Sequence, residues 1–145
     1  MLHTALMGLH IVAGAAGLLL GPLAMTAAVR GRRPTRGAAA YQAAVAVICL
    51  TTLGLVALDW RRWWPFVFLA VGTEMAAAGG WWVGRSRRGA WRGRYVRLVC
   101  GSYISLVTAL FVVTVGSPLA WAMPTVVGTV LVERAANAAT APAAS

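Results

Sequence analysis

Long stretches of this chain carry no charge, and its charges are bunched between them. The apolar runs cover about residues 5–29, 38–58, 65–83, 98–115 and 119–132, and only Glu74 places a charge inside one. A helix crosses the ~30 Å hydrocarbon core of a bilayer with about 20 apolar residues. The first four runs meet or approach that length. A water-soluble chain of 145 residues, 60% hydrophobic and 11% charged, has too little interior to hide so much apolar surface. The expected fold is therefore all-α: a polytopic transmembrane helical bundle with five spans, or four if the last run is re-entrant. The bundle forms one domain over residues 1–134, and the small, polar residues 135–145 read as a flexible tail.

The punctuation between the runs is basic. RGRRPTR at 30–36 has four arginines, DWRRWW at 59–64 has two, and GRSRRGAWRGRYVR at 84–97 has six. Gly116-Ser117-Pro118 closes the fourth run without charge, and Glu133-Arg134 follows the fifth. Pro65 suits a first helical turn, where a missing N–H costs nothing. The fifth run is short, ~21 Å as a helix of 14 residues, and contains Pro124. MLHTAL has no Lys or Arg before a long apolar run, so an uncleaved helix is expected rather than a signal peptide.

With five spans, the loops after the first and third runs and the tail share one side. They hold eleven of the thirteen arginines, against two on the other side. The positive-inside rule places the eleven in the cytoplasm. The expectation is a bacterial cytoplasmic membrane protein, N-terminus outside and C-terminus cytoplasmic. Trp60, Trp63, Trp64 and Trp121 then fall at the outer boundary, and Trp81, Trp82 and Trp91 at the inner one, where such rings concentrate.

The net charge of +10 invites a nucleic-acid reading. Arginines confined to short inter-run clusters fit membrane loops instead, so no nucleic-acid partner is expected. Arg85, Arg87, Arg88, Arg92, Arg94 and Arg97 are candidate contacts for anionic lipid headgroups, each worth about 1 kcal/mol near a charged surface. Cys49 and Cys100 sit in apolar runs, form no metal-ligand spacing and read as small hydrophobes. No H-E-x-x-H, G-x-S-x-G or phosphate-binding glycine loop is present. No catalytic residue, metal or cofactor is therefore assigned. Asp59 and Glu133 lie among arginines, where ion pairing is the ordinary role.

Lipid supplies no hydrophobic drive between helices, so close backbone approach and hydrogen bonds hold them together. His3, Met7, His10, Gly14, Gly17 and Gly21 fall on one face of the first helix. Its glycines form a groove for a neighbour. Gly101, Ser105 and Thr108 make a second stripe, either a packing seam or a polar path.

Glu74 stands alone in FLAVGTEMAAAGGWW, residues 68–82. Inserting an acidic residue at the centre of a span costs about 2.5–3.5 kcal/mol, so it should face inward and find partners. By helical rise Glu74, His10, Thr108, Thr51 and Thr52 all lie about 8–13 Å below the outer boundary. They form the candidate intramembrane polar site. Glu74 either bridges helices by hydrogen bonds or, with His10, exchanges protons or holds a cation along a pathway.

HIVAGAAGLLLGPLAM at 10–25, GSYISLVTALFVV at 101–113 and WAMPTVVGTVLVERA at 121–135 carry a resemblance. Over roughly residues 8–135 the chain resembles the bacterial family of small membrane proteins called domain of unknown function 2306. His10 and Gly21-Pro22 match its first-helix pattern. Thr35 and Tyr95 stand where that pattern has histidines. The resemblance implies a multi-spanning fold and a membrane location, and no activity. Three functions follow. The first is a structural or accessory membrane protein that associates with itself or a larger membrane complex. The second is a small proton- or ion-linked transporter using Glu74 and His10. The third is a haem-binding protein, for which His3 and His10 on a single helix provide poor axial geometry within one subunit.

Overall fold

The computed structural model describes residues 1–30, 32, 34–115 and 119–140, with backbone alone at 119–121. Six helices account for nearly all of them: α1 (Leu2–Val29), α2 (Arg36–Leu58), α3 (Trp60–Trp63), α4 (Pro65–Ser86), α5 (Trp91–Val115) and α6 (Leu119–Thr140). No strand occurs among the described residues. Four helices, α1, α2, α4 and α5, are long and apolar enough to cross a membrane. The all-α expectation therefore holds, and four of the five expected runs form helices fit to span. The connection at 116–118, the Trp121 side chain and residues 141–145 lie outside the described residues.

The helix ends have local causes. The Thr35 hydroxyl caps α2 by accepting from the Ala38 N–H at 3.3 Å, which occupies one of the orphan donors at that end. Pro65 opens α4 in its first turn as anticipated. Arg87, in the left-handed region at φ 50°, ends α4, and Gly89 at φ 59° completes the turn into α5. A left-handed arginine is uncommon. Its guanidinium lies 4.6 Å from the centre of the Trp91 ring, which helps hold it there.

α1, α2, α4 and α5 close a ring, each packed on the next, with α5 returning to α1; α6 packs on the outside of α5. Consecutive long helices run antiparallel. A Cβ on Gly54 would rest on Leu6, and one on Gly37 on Leu23, at opposite ends of the α1–α2 pair. Gly80 meets Val99, and Gly84 meets Tyr95, along α4 and α5.

The packing is inverted relative to a soluble bundle. Small residues fill the interior: Ala24, Ala28, Ala38, Ala70, Ala77 and Ala136 are buried with Gly17, Gly21, Gly80 and Gly84. Large apolar residues face outward, among them Leu19, Leu50, Phe68, Met75, Val113 and Val126. At most 39% of any candidate span is buried. Helices hydrophobic all round require an apolar surrounding on every side, and this bundle supplies only part of it. Small residues inside and bulky ones outside are the arrangement that lets helices approach closely in lipid.

Two expectations are refined. Gly17 touches Ile48 and Leu106, and Gly21 lies under the Tyr103 ring, so α5 as well as α2 enters the glycine groove of α1. Gly14 and Gly101, by contrast, meet nothing within 4 Å. The tail expected from residue 135 is helical to Thr140. Alanine favours helix over coil, and its small side chain lets Ala136 reach full burial. Thr140 sits against Gly93 of α5.

α5 and α6 are clamped by Arg97 and Glu133. The Arg97 Nε and Nη2 donate to both Glu133 oxygens at 2.9–3.1 Å, and Nη2 reaches Asn137 Oδ1 at 3.4 Å. The hydrogen bonds from Arg97 hold the Glu133 carboxyl below the usual carboxylate range; desolvation opposes them, and the Arg97 charge adds a smaller lowering. A group lowered by folding adds stability above its unfolded value, here 4.5, and that stability fades as pH falls through the lower native value. Both side chains are about half exposed, so the contribution is small and screened by salt. Protease cleavage within residues 133–140 should therefore rise as pH drops below 4.5, and Glu133→Gln should remove that pH dependence.

Candidate functional site

α2 is the hub of the polar groups. Its Thr51 hydroxyl donates to the Val47 and Ile48 carbonyls at 2.8 and 2.9 Å. The same oxygen lies 2.9 Å from His10 Nδ1 on α1. With its proton directed to the backbone, Thr51 accepts, which assigns the His10 proton to Nδ1 and leaves Nε2 as an acceptor. Thr52 bonds back to the Ile48 carbonyl at 2.8 Å and reaches no other helix through that bond.

Glu74, on α4, meets a different partner. Gln42 Nε2 on α2 donates to Glu74 Oε1 at 2.7 Å. The second oxygen, Oε2, is buried with no hydrogen-bond partner. Gln42 and Thr51 are nine residues apart, a turn of about 180° and a rise of ~13 Å. The two pairs therefore occupy opposite faces of α2. The expected partnership of His10 with Glu74 is thus replaced by two separate contacts, His10–Thr51 and Glu74–Gln42. Thr108 belongs to a third place: it is buried and lies 3.4 Å from Thr125 of α6.

A groove of about 370 Å³ separates α2 from α4 beside Glu74. Ala46, Cys49, Leu50, Leu53, Ala70, Val71, Met75 and Ala78 line it, so among the described residues Glu74 is its only charged wall residue. Leu50, Val71 and Met75 are exposed on the outer surface. The groove thus opens sideways, toward the region lipid would occupy.

A second polar centre was not anticipated. Tyr41 of α2 and Ser102 of α5 are buried and hydrogen-bonded at 2.9 Å across the ring. Ser102 also donates to the Val99 carbonyl at 2.8 Å, so Tyr41 is the donor between the two hydroxyls. Tyr41, Gln42, Trp81 and Tyr95 border a central space of about 10 Å³, close to that of one water. The Tyr95 hydroxyl is buried and without a hydrogen-bond partner. Gln42 carried a readable signal, since a lone amide inside an apolar run needs a partner across a helix interface. Tyr41→Phe should cost about 1 kcal/mol or less, because Ser102 keeps its backbone bond. Ser102→Ala strands the buried tyrosine hydroxyl and should cost more, about 1–3 kcal/mol. Unfolding midpoints of the two variants in one detergent check this order.

The arginines gather at the ends of the helices. Arg85 lies 5.6 Å from the Trp81 ring, and Arg62 5.1 Å from Trp63. Arg88, Arg92 and Arg94 are exposed near the α4–α5 turn, whereas Arg97 is committed to Glu133. Among the described residues no group of three or more His, Cys, Asp or Glu could hold a metal. His3 and His10 both lie on α1.

No family model matches the chain, and neither does a curated protein or a solved structure.

Proposed function

We propose that this is an accessory integral membrane protein: a five-span bundle of the bacterial cytoplasmic membrane that associates laterally with itself or a larger membrane complex. The observation that carries this reading is that Gly14 and Gly101, on the glycine stripes of α1 and α5, are left uncovered within the bundle and open to close approach by another helix.

The fifth span is supported by the course of α6. Arg97 meets Glu133, Ile104 meets Gly128 and Thr108 meets Thr125, so α6 runs antiparallel to α5 through the same layer. Its apolar part, residues 119–132, gives ~21 Å, enough to cross where the hydrocarbon layer is thinned. Met123, Val126, Val127 and Val130 turn outward, as lipid contact requires. The arginine bias supports a cytoplasmic C-terminus, and exposed Arg88, Arg92 and Arg94 are placed to meet anionic headgroups. Kinship with the domain of unknown function 2306 family rests on the sequence segments described above. Homo-oligomers or a larger membrane complex are the partners proposed.

The alternative, a small proton- or ion-linked transporter using Glu74 and His10, has less support, because the two side chains bond to opposite faces of α2. A one-carboxylate form remains available to Glu74. Haem is less favoured, with both histidines on α1 and His10 engaged by Thr51.

Alkaline carbonate extraction and size analysis in mild detergent test the proposal. The protein should stay in the membrane pellet, then elute as a homo-oligomer or with a co-purifying membrane partner. Release into the supernatant would overturn the membrane reading, and a strict monomer with no associated protein would overturn the accessory role.

A further inference from the structure

We propose that the α2–α4 groove is a binding site for a lipophilic organic cation, with the Glu74 carboxylate as its counter-ion. Three features converge there. The space of about 370 Å³ falls within the ~300–1,000 Å³ of ordinary small-molecule sites. The lining is aliphatic apart from Glu74 and Cys49, which suits an apolar body. Gln42 fixes one carboxylate oxygen, leaving the buried Oε2 with an unmet need for a donor or a positive charge.

Among the described residues none fills that need: the chain is rich in arginine, yet no described arginine lines the groove. Glu133 provides the contrast, because Arg97 grips both of its oxygens. Glu74 lies nine residues from the start of α4 and twelve from its end, ~13 and ~18 Å along the helix. At that depth an ionised carboxylate without a partner is costly; a proton relieves the cost, and so does a cation arriving through lipid, which displaces that proton. A lipophilic cation can reach this depth, since its hydrocarbon shell spreads the charge. Leu50, Val71 and Met75 mark the lateral entrance.

The site depends on the membrane reading above, so carbonate extraction is run first on the same preparation. Protein that stays with the membrane but ignores the cation overturns the site alone. The probe is tetraphenylphosphonium, measured by equilibrium binding to the full chain in phosphatidylcholine vesicles, which carry no net charge. Saturable binding of one probe per chain is expected. Glu74→Gln, which keeps a hydrogen-bonding side chain but removes the charge, should weaken it at least tenfold. Ala78→Leu, which narrows the groove and spares the carboxylate, should weaken it similarly. His10→Ala, on the far side of α2, should leave it unchanged. Triphenylphosphine oxide, of similar bulk and without charge, should not displace the probe. Unsaturable uptake, equal binding by Glu74→Gln, or displacement by triphenylphosphine oxide at equal concentration would each overturn the site. The triphenylphosphine oxide arm uses the unmutated chain, so it decides even if a variant fails to fold.

Discussion

Gly80→Ala should destabilise the bundle by about 1–3 kcal/mol, the usual cost of overfilling a close-packed interior. A Cβ at Gly80 would lie 2.9 Å from Val99 Cγ2, 3.3 Å from Leu98 Cβ and 3.3 Å from the Val99 backbone nitrogen. A rotamer change at Val99 relieves only the first contact. The other two involve atoms that move only if α4 and α5 separate. Opposing this, alanine is a better helix former than glycine by about 1 kcal/mol. Gly72 isolates that gain, since a Cβ there meets nothing within 4 Å. Gly72→Ala should therefore be neutral or stabilising, while Gly80→Ala lowers the unfolding midpoint in detergent. If the two variants unfold at the same temperature, α4 and α5 do not pack as described. Leucine at position 80 would hold the helices further apart and should prevent stable accumulation of the protein.

The contrast between Gly80 and Gly72 also marks how far sequence alone could lead. Run lengths located the four long apolar helices, because a bilayer's thickness is what such runs are expected to match. They did not locate helix ends. α5 begins at Trp91, seven residues before the uncharged run, and α6 continues past Glu133. Hydrocarbon stops where charge begins, but a helix stops only where its backbone bonds fail. Arginine and alanine are both good helix formers. The α4–α5 turn falls instead at left-handed Arg87 and at Gly89.

The candidate site divides in the same way. Helical rise gave approximate depth, placing Glu74, His10, Thr51 and Thr108 well inside the apolar layer. Depth says nothing about rotation around the helix axis. His10 and Glu74 both point to α2, yet they meet opposite faces of it, at Thr51 and Gln42. Only the packing of α1 and α4 on different sides of α2 decides this. Tyr41 and Ser102 show the same limit, since their contact crosses the ring between helices separated in sequence. Their types were readable as polar residues in apolar runs; their pairing depended on the ring's closure.

Orientation gives an all-or-none result. With Cys49 and Cys100 replaced by alanine, a single cysteine at Arg61 should react with an impermeant thiol reagent added to intact cells. One at Arg88 should react only after the membrane is opened. Both positions are exposed, so burial does not mask either label. Arg61 sits in the short helix α3, and Arg88 in the α4–α5 turn, at opposite ends of α4. On the proposed topology a single crossing separates them. The driving bias is eleven arginines against two, and short loops count most in the positive-inside rule. Labelling of Arg88→Cys but not Arg61→Cys from outside would invert the protein. Labelling of both from outside would mean that α4 does not cross, and Glu74 would then lie in water, where an unpaired carboxylate needs no explanation.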